Sequence, residues 1–122
     1  YEAAQLGILK ERYAKFWKEL ETLLKMDLSI EEIFYNAAFI HLAFVNIHPF
    51  GDGNGRVSRL LEKWFLAEKL GDRAWFIQSE KYYYKQVNEY YKNLARLGMF
   101  YEELDYEKSI PFLLMLPNCL NH

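Results

Sequence analysis

The sequence predicts an all-α fold, a compact bundle of helices. In several segments apolar residues recur at three- and four-residue spacing with charged residues between them, which is the pattern of amphipathic helices. No segment alternates polar and apolar residues for long enough to predict a strand. The 122 residues, 52% of them hydrophobic, suffice for one domain over residues 1–122, with no internal repeat or linker to divide it.

The first two helices are predicted on either side of a short polar turn. Helix one runs from Glu2 to about Lys25, and Asp27 and Ser29 end it. Ser29 and Glu32 have the spacing of a capping box, so helix two begins there and stops before Pro49. The predicted apolar faces are Leu6, Leu9, Tyr13, Phe16, Leu20 and Leu23 in helix one, and Ile33, Ala37, Ile40, Phe44 and Ile47 in helix two.

Three further helices are predicted downstream. The third runs from about Gly55 to Leu70 with Gly71 as its left-handed cap, and the segment GDRAWFIQ then connects it to the fourth. Ser79 caps the fourth helix, which continues through Leu97 to Gly98, and a short last helix extends from Pro111 to Leu116. The residues predicted to point inward are Leu60, Leu61, Trp64 and Phe65 in the third helix, and Tyr83, Val87, Tyr90, Leu94 and Leu97 in the fourth.

Charge and composition argue against several classes of function. Fifteen Lys and Arg against seventeen Asp and Glu give a net charge of −2, so we expect no direct binding to nucleic acid or to a membrane surface. No apolar run reaches the roughly 18 residues that cross a bilayer, and no signal peptide is recognisable. The single cysteine, Cys119, favours a reducing, cytoplasmic setting. Because the chain begins at Tyr1 rather than Met, we expect an N-terminally trimmed piece of a longer protein.

The stretch IHPFGDGNGRVSR, Ile47 to Arg59, interrupts the apolar pattern between helices two and three. It places His48 beside a helix N-terminus, where unpartnered N–H groups and the helix dipole attract anions. Its three glycines allow the backbone to approach a phosphate closely. Arg56 and Arg59, three residues apart, can add charged contacts. The residues thus predicted to bind phosphate are Gly51, Gly53, Gly55, Arg56 and Arg59.

Asp52 in the same loop predicts a metal ion. A carboxylate facing phosphates is repulsive unless a cation bridges them, and Mg²⁺ commonly binds through one or two carboxylates together with substrate phosphates. Three other motifs fit poorly. Arg56 stands where a Walker motif has Lys, a helix rather than a strand precedes the glycines, and Lys63 occupies the glutamate position of a calcium loop.

Residues His48 to Arg59 match the signature H-P-F-x-D/E-G-N-G-R-x-x-R of the Fic family at every specified position. The segment NAAFIHLAFVNIHPF is similar to the family's helix entering the motif, and EYYKNL to a later helix that lines its adenine pocket. The resemblance extends over about Ser29 to Gly98, taken as the core of the domain. It implies a Fic-like helical bundle with the catalytic loop between two central helices.

Fic proteins are mostly adenylyltransferases, which move AMP from ATP to a hydroxyl of a target protein. The resemblance implies that His48 deprotonates a Ser, Thr or Tyr of the target and that Asp52 holds Mg²⁺. It also gives roles to residues that bind the nucleotide or support the loop. These are Gly53, Asn54, Gly55, Arg56 and Arg59 at the phosphates, with Arg59 towards the γ end, Tyr90 and Tyr91 near adenine, and Phe50 as a core anchor.

Two features of many family members are missing from the sequence. Nothing before Ser29 is predicted as the β-hairpin that pairs with the target's backbone. No Ser/Thr-x-x-x-Glu-Gly/Asn inhibitory segment is found, since the nearest string, Ser58 to Glu62, continues with Lys63. An inhibitory segment upstream or an antitoxin-type partner is the alternative source of regulation, and self-modification is a further expectation.

Alternatives remain open at this stage. His41, His48 and Asp52 could ligate a transition metal, although His41 is better explained as a hydrogen-bonded, partly buried residue. Seven tyrosines could stack on nucleic-acid bases, but their helical spacing favours a core or a pocket wall. The chain could be a nucleotide-binding regulatory module with little turnover, or a Fic variant that transfers another phosphate-containing group or removes AMP. These tyrosines are Tyr82, Tyr83, Tyr84, Tyr90, Tyr91, Tyr101 and Tyr106.

Overall fold

The structure is a computed structural model that describes residues 6–98 and 101–121. Within these residues it contains helices and no strand, so the predicted all-α fold is confirmed. The predicted start at Glu2 and the side chain of Leu6 lie outside what the structure describes. In chain order the α-helices are α1 Leu6–Lys25, α2 Ile30–Ile47, α3 Asn54–Leu70, α4 Ser79–Lys85, α5 Val87–Ala95, α6 Ile110–Leu113 and α7 Met115–Asn118.

Helix α2 begins at the predicted capping box. The Ser29 hydroxyl accepts a hydrogen bond from the Glu32 N–H at 3.2 Å, and the Glu32 carboxylate accepts one from the Ser29 N–H at 3.0 Å. The hydrogen bond from the Ser29 backbone lowers the pKa of Glu32. All five residues predicted to form the apolar face of α2 are buried.

Two hydrophobic clusters meet on α2. One joins Phe16 and Leu20 of α1 to Phe44 of α2 and Phe65 of α3. The other joins the opposite side of α2 to the end of α3, to α4 and α5, and to the C-terminal helices. Because both of its sides are covered, α2 is the central helix, and even its His41 and Asn46 are buried.

Helix α3 exposes a face that the apolar pattern placed inside. Leu60 is 67% exposed and Trp64 is also exposed, so the prediction that both are buried is wrong. Phe65 is fully buried as predicted, and Leu61 is partly buried. The inward face of α3 instead begins with three polar residues at four-residue spacing. Their side chains hydrogen-bond to the loop, to α3 itself and to α2. They are Asn54, Ser58 and Glu62.

Two lysines of α3 secure the segments around it. The Lys63 ammonium donates to the carbonyls of Ala74 and Ile77 and so holds the connector, whose residues Gly71–Phe76 form a 3₁₀ helix. Lys69 donates to the carbonyls of Leu24 and Met26 at the end of α1. Gly71 is the C-cap of α3 as predicted, but with φ 62° and ψ −138° it lies outside the left-handed helical conformation that was expected there.

The predicted fourth helix is two helices. The chain breaks at Gln86, where φ is −106° and ψ is 37°, and α5 therefore starts with a new phase. This break explains why Val87 is exposed while Tyr83, Tyr90 and Leu97 are buried as predicted. Ser79 does not cap α4, because the N-cap is Gln78 and Ser79 is the first helical residue.

The C-terminal segment is also divided where one helix from Pro111 to Leu116 was predicted. Helices α6 and α7 meet at Leu114 and pack Phe112, Met115 and Leu116 against the α2 side of the core. Among the helices of residues 6–98 and 101–121, none combines the length and apolar character that a membrane span requires.

Candidate active site

The loop between α2 and α3 starts at a strained residue. His48 is the C-cap of α2 with φ 54° and ψ 56°, and its N–H donates to the Phe44 carbonyl at 3.1 Å. Among the described residues it is the one non-glycine residue with positive φ. This left-handed conformation costs an L-residue about 1–2 kcal/mol, and such strain is typically found at functional positions.

Asn54 clamps the loop from its far end. Its amide oxygen accepts a hydrogen bond from the Phe50 N–H at 3.0 Å, and its amide nitrogen donates to the Phe50 carbonyl at 2.8 Å. Ser58 in turn donates to the Asn54 carbonyl at 2.8 Å. Asn54 is buried, so its side chain organises the loop, while its backbone opens α3. The motif predicted Asn54 as a phosphate-binding residue, and nothing in the sequence indicated this clamp.

The three loop glycines differ in what they require. Gly53 is the N-cap of α3 with φ 82°, a conformation that favours glycine. A Cβ atom on Gly55 would lie 3.1 Å from an Arg59 guanidinium nitrogen, so glycine gives that arginine room. A Cβ on Gly51 would meet nothing within 4 Å. The backbone conformation therefore favours glycine at Gly53, and the space taken by the Arg59 side chain favours it at Gly55.

Phe50 does not anchor the core, and the prediction that it does is wrong. Its side chain is 45% exposed, and its ring centroid lies 6.1 Å from that of Phe44. The two hydrogen bonds from Asn54 fix the Phe50 backbone against α3, and the side chain then turns partly to solvent.

The charged residues of the motif differ in exposure and contacts. Asp52 has a side chain that is 98% exposed, and its carboxylate lies 3.8 Å from the exposed guanidinium of Arg56. Such an exposed pair contributes little to stability, so both groups can turn to a ligand. Arg59 is only 21% exposed, contacts the Glu80 carboxylate at 3.4 Å and lies 5.9 Å above the Tyr90 ring.

Tyr90 and Tyr91 form a wall beside the loop. Tyr90 is buried, and its hydroxyl lies 2.7 Å from Nε2 of His41. Burial raises the pKa of Tyr90 to about 12, an effect that the nearby Arg59 partly opposes. Tyr91 is exposed, and its ring packs edge-on against that of Tyr90 with centroids 5.2 Å apart.

Most of the residues predicted for the site border one cavity of about 230 Å³. The sides of this cavity are formed by the loop, by Tyr90 and Tyr91, and by the apolar Val45 and Leu94. Arg59 borders a neighbouring cavity of about 170 Å³, which shares both tyrosines. Arg56 borders neither. The predicted site residues that line the first cavity are His48, Gly51, Asp52, Gly53, Asn54, Gly55, Tyr90 and Tyr91.

The alternative transition-metal site does not form. His41 is fully buried, and its ring nitrogens contact Glu62 at 2.8 Å and Tyr90 at 2.7 Å. In the part of the chain that the structure describes, no group of three His, Cys, Asp or Glu residues could hold a metal. Asp52 nevertheless fits the different requirement of Mg²⁺ bound with phosphates, because one exposed carboxylate at the cavity can serve as a single protein ligand.

Comparison with known protein families adds an independent observation. The family model described as Fic/DOC matches residues 4–66, a little more than half of the chain, including α2 and the whole loop. Tyr90 and Tyr91 lie beyond the matched residues. Neither the curated proteins nor the solved structures provide a match. Membership supports transfer chemistry in general and does not specify the transferred group. The matched range and the loop within it show that this chain belongs to the Fic/DOC family.

Proposed function

We propose that this chain is a protein adenylyltransferase that transfers AMP from ATP to a Ser, Thr or Tyr hydroxyl of a target protein. The observation that carries the proposal is the shared cavity: His48, Asp52 and the N-terminus of α3 all border it. A general base, a metal ligand and an anion-binding helix end are thus available within one space. A module that only bound nucleotides would not need the imidazole of His48.

His48 is the proposed general base. An alcohol is a poor nucleophile near neutral pH, and a positioned base that takes its proton as attack begins typically contributes about 10²–10⁴-fold. The target oxygen attacks the α-phosphorus of ATP, the bond from that phosphorus to the β-phosphate oxygen breaks, and pyrophosphate leaves. The hydroxyl proton goes to His48.

The phosphates are proposed to lie at the start of α3. Gly53 brings no side chain to the first turn, so the N–H groups there can face an anion. Arg56 is exposed and can swing to the phosphates, whereas the held Arg59 offers a fixed positive charge. Asp52 would hold Mg²⁺, which when bound neutralises charge on the leaving pyrophosphate.

The adenine is proposed to contact the aromatic wall. Tyr91 offers an exposed ring, and the buried Tyr90 keeps it in place through their edge-on packing. Val45 and Leu94 make the adjoining surface apolar, which suits a planar base.

Labelled ATP tests the proposal directly. The protein is incubated with Mg²⁺ and ATP labelled at either the α- or the γ-phosphate, alone and with cell protein as a source of targets. We expect protein-bound label from the α position only, and labelling slower by about 10² or more with the His48→Gly variant. Label from the γ position would show phosphate transfer instead. MgATP binding without any transfer would favour the nucleotide-binding module.

A further inference from the structure

Four buried polar side chains form a hydrogen-bonded cluster next to the candidate site, which it meets at Tyr90. One comes from each of α2, α3, α4 and α5. Nδ1 of His41 lies 2.8 Å from Oε2 of Glu62, and Nε2 of His41 lies 2.7 Å from the Tyr90 hydroxyl. The Tyr83 hydroxyl donates to the same Glu62 oxygen at 2.9 Å. We call these four residues the His41 cluster.

The His41 cluster is enclosed by aromatic rings. His41 and Glu62 have no solvent exposure, and both tyrosines are almost fully buried. The rings of Tyr83 and Phe112 meet the imidazole edge-on, with centroids 5.1 and 5.0 Å away. In such surroundings the hydrogen bonds are strong and directional, and each member restricts the orientation of the next.

Burying the Glu62 carboxyl group costs free energy that an apolar side chain at this position would not. The contacts of His41 Nδ1 and of the Tyr83 hydroxyl both meet Oε2, and among the described buried side-chain atoms Oε1 is the one without a hydrogen-bond partner. Leaving a buried polar atom unpaired costs free energy. Apolar residues of similar volume often stabilise a core as well as a buried polar pair does. The arrangement therefore calls for a role beyond filling the interior.

Tyr90 connects the cluster to the candidate site. Its hydroxyl end is fixed by His41, while its ring lies beneath the Arg59 guanidinium and borders both cavities. Glu62 follows Arg59 by three residues on α3, so the two side chains leave adjacent positions of one helix. Glu62 thus contacts His41, and His41 contacts the hydroxyl of the Tyr90 ring, whose centroid lies 5.9 Å from the Arg59 guanidinium carbon.

We propose that His41 and Glu62 are positioning residues that hold the Tyr90 ring under Arg59 and thereby set the affinity for the outer phosphates of the nucleotide. They touch neither the nucleotide nor the reacting atoms. The inference rests on the proposed function, because it takes Arg59 to face those phosphates. His41 and Glu62 lie outside the motif from His48 to Arg59, so residues beyond the motif also influence nucleotide binding.

The test compares two substitutions that each remove one hydroxyl from the cluster. Tyr90→Phe removes the hydroxyl bonded to His41, and Tyr83→Phe removes the one bonded to Glu62, while both keep their rings. Calorimetry with MgATP and with AMP gives the ratio of the two affinities. We expect Tyr90→Phe to lower this ratio about fivefold, the scale of one lost hydrogen bond, and Tyr83→Phe to change it by less than about twofold.

A second pair of variants tests the route through Tyr90. His41→Gln retains an amide that can bond the Tyr90 hydroxyl, so we expect it to keep more of the affinity ratio than His41→Leu. In a protein that already carries Tyr90→Phe, His41→Gln should lower the ratio no further, because the bond through which it acts has gone. Melting curves of every variant separate this effect from unfolding.

Three outcomes would contradict one proposal or the other. Equal loss of the affinity ratio in Tyr83→Phe and Tyr90→Phe would show general loosening and overturn the positioning role. A further loss from His41→Gln beside Tyr90→Phe would show that His41 acts by another route. A parent protein that fails to bind MgATP would refute the proposed function itself, and this result is read before any variant is made.

Discussion

At His48 the backbone and the proposed chemistry make opposite demands on the side chain. The left-handed conformation favours glycine, yet the proposed reaction needs an imidazole. A strained residue kept at the end of a buried helix suggests that the side chain is retained for its chemistry. The stability and activity of His48 variants should therefore change independently.

We predict that His48→Gly greatly slows AMP transfer without lowering stability. Glycine removes the general base, so the rate should fall by about 10² or more, but it also relieves the left-handed strain. His48→Ala should lose the same activity and melt lower than the glycine variant, because alanine keeps the strain. Thermal melts and transfer assays on both variants measure the two effects. Equal melting temperatures for both would contradict the assigned strain.

The proposed metal role of Asp52 is compatible with the surroundings of its side chain. Its carboxylate is exposed and ion-paired only with Arg56 among its described contacts, and the N-cap of α3 is Gly53, so no helix cap by Asp52 competes with the metal role. We predict that Asp52→Ala weakens MgATP binding and transfer sharply. Binding of ATP in a chelator should stay equal or improve slightly, since a repulsive charge is lost. Calorimetry under both conditions measures this, with melting temperature as the control for folding. A parallel loss in both titrations would refute the metal role.

At the scale of elements, the α2–α3 loop depends on one buried side chain for its shape. We predict that Asn54→Ala, which removes both bonds to Phe50, destabilises the protein by about 1–3 kcal/mol. Asn54→Asp keeps the acceptor for the Phe50 N–H and replaces the donor by a carboxylate oxygen facing the Phe50 carbonyl, so it serves as the variant that retains one of the two bonds. Hydrogen exchange of the Phe50 amide should accelerate much more in the alanine variant. Equal exchange in both variants would show that the clamp does not hold the loop.

The sequence predicted helices well and their inward faces less well. Capping boxes, prolines and glycines are local signals, so the start of α2 at Ser29 and the cap at Gly71 were correctly predicted. The inward face of α3 was not, because Ser58 and Glu62 are buried through partners that only the tertiary structure brings together. The break between α4 and α5 at Gln86 was likewise missed, because no proline or glycine marks it in the sequence.

The candidate site was likewise predictable where it depends on neighbouring residues and not where it depends on residues distant in sequence. The motif singled out the loop residues, which are consecutive in sequence, and the structure places them along one cavity. The His41 cluster joins residues up to 49 positions apart, so the sequence predicted a hydrogen-bonded, partly buried His41 or a metal ligand but could not identify its partners. The exposed Phe50 was missed because its environment depends on the Asn54 clamp rather than on hydrophobicity.

For the whole molecule, the buried acids predict a loss of stability at alkaline pH. Burial raises the pKa of the Cys119 thiol from 9.0 to about 11 and that of the Tyr90 hydroxyl from 10.0 to about 12. Above pH 9 the unfolded chain releases protons that the folded protein still holds, so the free energy of unfolding decreases as pH rises. Their contribution is fully present below pH 9 and is lost progressively between about pH 9 and 12, at roughly 1–3 kcal/mol for each group.

Denaturant titrations at pH 7, 8, 9.5 and 10.5 would measure this loss. The Cys119→Ala variant leaves a small cavity that should destabilise the protein equally at every pH. Because it removes the first group to titrate, it should also flatten the decline between pH 9 and 10.5, where Cys119 rather than Tyr90 dominates. The parent and variant curves should therefore converge as pH rises. Parallel curves over that interval would show that the thiol does not retain its proton in the folded core.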